Sequence, residues 1–173
     1  MYKRQPLIAD IHFFPNAAIR VVEFVDKIRI NPGNYADKPI GINYIPEKYQ
    51  YSLDRIEQKL TPLIHLCKKY KRALRIGTNH GSLSQRIMYH FGDTPRGMVE
   101  SALEFARICH KYDFHDLIFS MKSSNPIIMI ASYRLLVQEM IQLDWNYPLH
   151  IGVTESGQGE DGSCLLYTSD AAD

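Results

Sequence analysis

The run Ala73-Leu74-Arg75-Ile76-Gly77-Thr78, near the middle of the chain, decides the fold. It is short and mostly apolar, which is typical of a buried β-strand. The segments on either side, 52–71 and 96–112, repeat their apolar side chains every three or four positions, which predicts helices that bury one face. A strand between two helices is the repeating unit of a parallel sheet, so further copies of this unit are expected along the chain.

The same alternation extends through most of the sequence. Five apolar runs predict strands at Pro6–Phe13, Lys27–Ile30, Ala73–Thr78, Leu117–Met121 and Leu149–Thr154. Helical periodicity predicts helices near 16–25, 52–71, 96–112 and 126–142. The predicted fold class is therefore α/β with a parallel sheet.

Local signals refine this prediction. Thr94 and Asn125 are each followed by a proline, and each can cap a helix whose first turn contains that proline. Pro62 is expected to kink or split the helix at 52–71, because proline removes a backbone hydrogen bond. The segment Asp37–Tyr51 has no clean period and is expected to be a long loop, which in compact domains is often functional.

Composition narrows the class of protein. The formal net charge of the 173 residues is +1, which gives no global field favouring nucleic acid or a membrane surface. No apolar run approaches the roughly 20 residues that a membrane span requires. Cys67, Cys109 and Cys164 are far apart, so a metal site made from them alone is not expected. Cys67 and Cys109 fall on apolar helical stripes and are interpreted as core residues.

Cationic residues at the strand ends are the candidate binding residues. Arg29, Arg75 and Lys122 belong to three successive predicted strands, and ligands of parallel α/β folds bind outside the carboxyl ends of the strands. Burying three cations requires anions, and Asp10 and Glu155 are few against three. The pattern therefore predicts a phosphate or diphosphate ligand, whose oxygens match the arginine fork.

Neighbouring residues fit this prediction and leave alternatives open. Asn31 and Asn79 add hydrogen-bond donors, and Gly77 allows close backbone approach to a ligand. Each strand-end cation could instead belong to a structural ion pair, and His12 and His80 are interpreted as hydrogen-bonded structural histidines. Glu155 fits a helix cap, a surface carboxylate or a catalytic group.

Six stretches of the chain, in the same order, resemble one enzyme family. They are Pro6–Phe13, Arg29–Asn34, Leu74–Leu83, Gly92–Ala102, Phe119–Pro126 and Leu149–Glu155. The likeness covers about residues 6–162 and is to the 4-hydroxy-3-methylbut-2-enyl diphosphate synthases, iron–sulfur enzymes of the non-mevalonate isoprenoid pathway. Thr-Asn-His-Gly-Ser and Asp-Thr-Pro-Arg-Gly resemble the longer form of plants, chlamydiae and some other bacteria.

The resemblance implies a TIM (β/α)8 barrel followed by a domain that holds a [4Fe–4S] cluster. Residues 1–162 are then a partial TIM barrel of about five βα units out of eight, from about the third to the seventh strand. The chain is expected to be truncated at both ends, with the cluster ligands outside it, so no metal ligand is assigned within it. Residues 163–173 no longer resemble the family and are interpreted as a cloning or assembly scar.

The resemblance also implies an activity. It is the reductive ring opening and dehydration of 2-C-methyl-D-erythritol 2,4-cyclodiphosphate to 4-hydroxy-3-methylbut-2-enyl diphosphate, with electrons from ferredoxin or flavodoxin. The diphosphate-binding residues of the family fall on Arg29, Arg75, Asn79 and Lys122, and its barrel carboxylate falls on Glu155. A homodimer is compatible with the resemblance, as is a location in the bacterial cytoplasm or in the plastid stroma of a plant or alga.

Two other functions stay open at this point. Another phosphate-binding barrel, such as a pterin-type synthase, has basic residues at its strand ends and a related architecture. A non-enzymatic chain that binds a diphosphate, or binds nothing, has the same local sequence. As an isolated piece, an open arc of strands is expected to be unstable and inactive, because it exposes sheet edges and apolar surface.

Overall fold

Four parallel strands form the central sheet. The computed structural model describes residues 5–36 and 49–151. Strands β1 (Ile8–Ile11), β2 (Lys27–Ile30), β3 (Ala73–Asn79) and β4 (Leu117–Lys122) pair in the order β1-β2-β3-β4. Leu149 forms a further parallel bridge to Phe119, at the start of the predicted fifth strand. Parallel strands that pair in chain order form an arc of the kind that closes into a TIM barrel.

Helices follow the strands within the described residues. They are α1 (Pro15–Val21), α2 (Pro32–Tyr35), α3 (Tyr49–Tyr70), α4 (Gln85–Phe91), α5 (Pro95–Lys111) and α6 (Pro126–Gln142). The Thr94 hydroxyl accepts a hydrogen bond from the Gly97 N–H at 3.1 Å, and Asn125 Oδ1 accepts one from the Ile127 N–H at 2.9 Å. Both predicted helix caps are confirmed. None of the helices in the described part is long and apolar enough to cross a bilayer.

The core lies between the sheet and the helices. Side chains alternate along a strand, so one face of the sheet can be apolar and the other polar. The apolar face is buried under the helical layer and consists of Ile28, Ile30, Leu74, Ile76, Leu117, Phe119 and Met121. Helix α5 provides much of the opposing wall through the fully buried Met98, Val99, Ala102, Leu103, Phe105, Ala106 and Cys109. Cys67 and Cys109 are both buried in this core, as predicted.

The structure corrects two local predictions. Helix α3 begins at Tyr49, so residues 49–51 of the predicted loop are helical, while residues 37–48 lie outside the described part. Pro62 does not split α3, which runs through it. Pro62 and Gln58 are both on the exposed side of the helix, so water can replace the hydrogen bond that the Gln58 carbonyl loses.

Two short helices were not predicted by periodicity. Helix α2 is capped by Asn31 and α4 by Ser84, whose hydroxyl accepts from the Ile87 N–H at 3.4 Å. Both helices are too short for an apolar period to emerge, so the polar caps were the available signal. The predicted strand Leu149–Thr154 is described only as far as residue 151.

A buried ion pair joins three helices. The side chains of Arg86 on α4 and Glu104 on α5 are each 3% exposed and form a salt bridge, and the Tyr49 hydroxyl donates to the same carboxylate. Burial raises the pKa of Glu104, and the charge and hydrogen bonds of Arg86 and Tyr49 only partly offset this effect. The contact fixes α4 and the start of α3 against α5.

The outer edge of β1 is open, because none of the described strands pairs with it. Around this edge Leu7, Phe13 and Phe14 are at least half exposed, and Ile8 is nearly so. Unpaired strand edges beside apolar side chains favour association with other chains.

We expect the purified 173-residue chain to unfold over a broad temperature range, without a sharp cooperative transition. The physical reason is the open edge of β1 and the exposed apolar side chains beside it. The measurement is thermal unfolding followed by circular dichroism at two protein concentrations. A single sharp transition that is independent of concentration would contradict the expectation.

Candidate functional site

The polar face of the sheet, opposite the helices, carries the candidate site. Strand pairing sets Asp10 opposite Arg29, Arg29 opposite Arg75, and Asn79 opposite Lys122. Residues paired in this way point to the same face of a sheet. The register therefore brings Arg29, Arg75, Asn79 and Lys122, four of the predicted binding residues, onto one surface.

Arg29 is held by four acceptors and is 1% exposed. Its Nη1 donates to Asp10 Oδ1 at 2.9 Å and bonds His12 Nε2 at 2.7 Å. Its Nη2 donates to the Gly77 carbonyl and to Asn79 Oδ1, both at 2.9 Å. Because a guanidinium only donates, His12 Nε2 is the acceptor, which assigns the proton of a neutral imidazole to Nδ1. The interpretation of His12 as a hydrogen-bonded histidine is confirmed.

Gly77 makes room for this guanidinium. A Cβ atom at position 77 would lie 2.3 Å from Arg29 Nε, closer than real atoms approach. The sequence predicts that Gly77 admits a ligand to the backbone, whereas the group that occupies this space in the structure is Arg29.

Asp10 gives this cluster its negative charge. Burial works to raise the pKa of Asp10, but the hydrogen bond and the charge of Arg29, with the charge of Arg75 nearby, outweigh it. The pKa of the carboxyl group therefore lies below its ordinary value, and Asp10 is ionised at neutral pH. The pair of Arg29 and Asp10 is close to neutral.

Arg75, unlike Arg29, has no set of acceptors around its guanidinium among the described residues. It is 6% exposed, and within the described residues its guanidinium forms no hydrogen bond, with Nε fully buried. Burial and the neighbouring charge of Arg29 lower the pKa of Arg75. Its donors are available to an anion, which would offset the cost of burying the charge.

Lys122 is a second cation without a hydrogen-bond partner among the described residues. It lies at the end of β4 and is partly buried, and no hydrogen bond or ion pair joins its ammonium group to another described residue. Burial lowers the pKa of Lys122, and the charges of Arg29 and Arg75 lower it further. His150, beside β4, has its pKa lowered by burial and by the charges of Arg75, Lys27 and Lys122. Burial is the first cause of each of these pKa shifts, and repulsion between the neighbouring cations adds to it.

The two remaining residues of the predicted site are Asn31 and Glu155. Asn31 is fully buried: its Oδ1 accepts from the Gly33 N–H at 3.1 Å, and its Nδ2 donates to the Ser82 hydroxyl at 3.1 Å. These bonds cap α2 and join it to the loop after β3, so a ligand-binding role for Asn31 stays a prediction. Glu155, the predicted catalytic residue, lies outside the described residues.

Sequence reasoning named Asp10 as a nearby acid but did not assign Asp10 and His12 as joint partners of Arg29. Asp10 and His12 are two positions apart, a spacing that places both side chains on the same face of an extended segment. This spacing was the available signal for their joint role. His80, at the other side of the site, lies 3.4 Å from Asp93 Oδ1, in keeping with its structural interpretation.

The described cysteines do not fit the ligands of an iron–sulfur cluster. Burial raises the pKa of the Cys67 thiol to about 12 and places that of Cys109 well above its ordinary value. Cluster ligands bind as thiolates, which these surroundings disfavour. The described residues also contain no group of three or more His, Cys, Asp or Glu side chains suited to a metal ion.

The family model of the GcpE TIM-barrel domain matches residues 2–167. Over 160 residues, 91% of this chain, the protein is 64% identical to the 4-hydroxy-3-methylbut-2-en-1-yl diphosphate synthase (flavodoxin) of Protochlamydia amoebophila. Over the same share of the chain it is 63% identical to the chloroplastic 4-hydroxy-3-methylbut-2-en-1-yl diphosphate synthase (ferredoxin) of Arabidopsis thaliana.

The matched region is a limited part of those proteins. It covers 24% of the Protochlamydia protein and 22% of the Arabidopsis protein, so the chain spans about a quarter of the length of these curated relatives. The match extends over nearly the whole chain and confirms both the predicted family and the predicted TIM-barrel fold, in preference to a pterin-type synthase. The chain therefore belongs to the GcpE TIM-barrel family.

Proposed function

We propose that the full-length protein containing this chain converts 2-C-methyl-D-erythritol 2,4-cyclodiphosphate to 4-hydroxy-3-methylbut-2-enyl diphosphate. Each turnover takes up two electrons and two protons, opens the ring at a carbon–oxygen bond and releases one water. The observation that carries the proposal is the excess of positive charge on the strand face, where Arg75 and Lys122 have no hydrogen-bond partner in the described part. The names of the relatives support the same activity.

A diphosphate suits this face by charge and by geometry. The Arg75 guanidinium can donate to two phosphate oxygens at once, and the Lys122 ammonium can follow a third on its flexible side chain. Arg29 lies beside Arg75 on the neighbouring strand of the same face. When the carbon–oxygen bond of the ring breaks, the electrons of that bond stay on the diphosphate oxygen, and these cations stabilise the resulting charge.

Glu155 is the proposed proton donor, or the group that orients the departing oxygen. The hydroxyl lost from the substrate leaves as water and requires a proton, which a carboxylic acid at the end of the predicted fifth strand would supply. The basis for this role is the match of Leu149–Glu155 to the family motif.

A [4Fe–4S] cluster with ligands outside this chain is the proposed cofactor and would supply the electrons. Flavodoxin and ferredoxin are the proposed donors, because the relatives are named for one or the other. We assign no ligand role to Cys67 or Cys109, whose burial disfavours the thiolate. We place the full-length protein in the bacterial cytoplasm, or in the plastid stroma if its source is a plant or alga.

Replacing Arg75 with alanine should weaken binding of the cyclodiphosphate. Loss of charged hydrogen bonds to the diphosphate, each worth about 1.5–3 kcal/mol, corresponds to roughly 10- to 100-fold in Kd. The measurement is calorimetric titration of the full-length protein. Arg134→Ala is the matched control, because it removes the same charge from the exposed surface of α6 and should leave Kd unchanged.

Equal losses in the Arg75→Ala and Arg134→Ala variants would contradict this placement of the site. Binding by the unaltered protein without turnover would instead support the alternative of a non-catalytic diphosphate-binding protein.

Replacing Glu155 with glutamine should lower kcat by about 100-fold or more, with little change in substrate Kd. Glutamine keeps the size and hydrogen bonding of the side chain but cannot donate the proton. The measurement is anaerobic turnover of the cluster-loaded, full-length protein beside calorimetric binding. If kcat is unchanged, Glu155 is not the proton donor.

A further inference from the structure

The hydroxyl of Tyr133, a residue of α6, lies between β4 and the predicted fifth strand. We propose that Tyr133 is a positioning residue whose hydroxyl holds the fifth strand away from β4 at the carboxyl end of the sheet. The inference rests on the proposed function, in which the fifth strand carries the proton donor Glu155, and it assigns the residue that sets the place of that strand.

The hydrogen bonds between the two strands show what the hydroxyl replaces. In a parallel pair the residues that bond a given neighbour recur at every second position, so the bonds of Phe119 predict those of Met121. The Phe119 N–H donates to the Pro148 carbonyl at 3.1 Å, and the Phe119 carbonyl accepts from the His150 N–H at 2.8 Å. The next bond of this series would run from the Met121 N–H to the His150 carbonyl, but these two described residues are not joined directly.

The Tyr133 hydroxyl occupies the position of that bond. It accepts from the Met121 N–H at 2.9 Å and donates to the His150 carbonyl at 2.6 Å. Burial raises the pKa of Tyr133, and the bond from Met121 and the charge of Arg75 only partly offset this effect, so the phenol keeps the proton that it donates. Both backbone groups are satisfied, while the strands lie farther apart than a direct bond of about 2.9 Å would hold them.

This bridge lies next to the candidate site. Lys122 directly follows Met121 in β4. The charge of Arg75 acts on the Tyr133 hydroxyl, and the hydroxyl in turn acts on the pKa of Arg75. The ring of Tyr133 packs against the core, so it reaches the sheet from the helical layer. The strands are therefore separated at the end of the sheet where parallel α/β folds bind their ligands.

The fifth strand is the one whose position depends on Tyr133. Strand β4 is paired with β3 in register from Leu117 to Lys122, along its whole length. The fifth strand, within the described residues, is joined to the backbone of β4 by the two bonds of Phe119 and by the Tyr133 bridge. Loss of the hydroxyl would leave β4 in place and let the fifth strand move toward it.

Tyr133→Phe tests the proposal, because it keeps the packed ring and leaves the Met121 N–H and the His150 carbonyl to pair directly. In the cluster-loaded, full-length protein we expect kcat to fall about tenfold, while the calorimetric Kd of the cyclodiphosphate stays within about twofold, since β3 and β4 do not move. An unchanged kcat, or a loss of binding as large as the loss of kcat, would overturn the proposal.

Tyr112→Phe is the matched control. It removes a tyrosine hydroxyl that donates to Glu57 Oε1 at 2.7 Å, at the C-terminal end of α5 and away from the strand ends. This variant should keep the kcat and the Kd of the unaltered protein. If both variants lose kcat equally, the effect is a general loss of stability, and Tyr133 is not a positioning residue.

A second measurement does not depend on turnover. In a crystal structure of the full-length Tyr133→Phe variant, the distance from Met121 N to His150 O should fall to about 2.9 Å, the length of a direct bond. If the two atoms keep their separation, the hydroxyl is not what holds the strands apart, and the proposal is wrong.

The outcomes separate this inference from the proposed function. If the unaltered protein neither binds nor converts the cyclodiphosphate, the proposed function fails, and the distance between the strands still tests the bridge. If the unaltered protein converts the cyclodiphosphate and Tyr133→Phe does so equally well, the proposed function stands and the role of Tyr133 alone fails.

Discussion

Arg29 places a permanent positive charge between two neighbouring strands, where solvent hardly reaches it. Such a charge is costly unless each donor finds an acceptor. The acceptors come from both sides, through Asp10 and His12 on one side and Gly77 and Asn79 on the other. A shift of one residue in either pairing would turn Arg29 or its acceptors to the wrong face, so the buried charge also specifies the register of β1, β2 and β3.

The need to pair the buried charge of Arg29 also explains why the rest of the polar sheet face suits an anion. Asp10 is committed to Arg29 and has little charge left to offer Arg75 and Lys122. The lowered pKa values of Arg75, Lys122 and His150 have burial as their first cause, and mutual repulsion adds to it. Arg29 is thus hydrogen-bonded to its neighbours on β1 and β3, while Arg75 and Lys122 have no hydrogen-bond partner among the described residues.

Much of this arrangement was predictable from the sequence, and the exceptions have physical causes. Alternation of apolar runs and helical periods predicted the parallel sheet, and the position of Arg29, Arg75 and Lys122 along their strands predicted a shared face. The role of Gly77 was not predictable, because its neighbour is a side chain from a strand 48 residues away in sequence. Asn31 was ambiguous because a cap and a ligand donor use the same amide.

Helix α5 stabilises the fold from the side of the sheet that is opposite the polar face. This helix is buried on most of its sides, from Gly97 to Cys109, and contacts the sheet on the face opposite Arg75. Because of this burial, we expect its amide hydrogens to exchange with solvent more slowly than those of the open β1 edge. We therefore expect the α5 scaffold to stay closed while the less buried edge of the sheet opens locally.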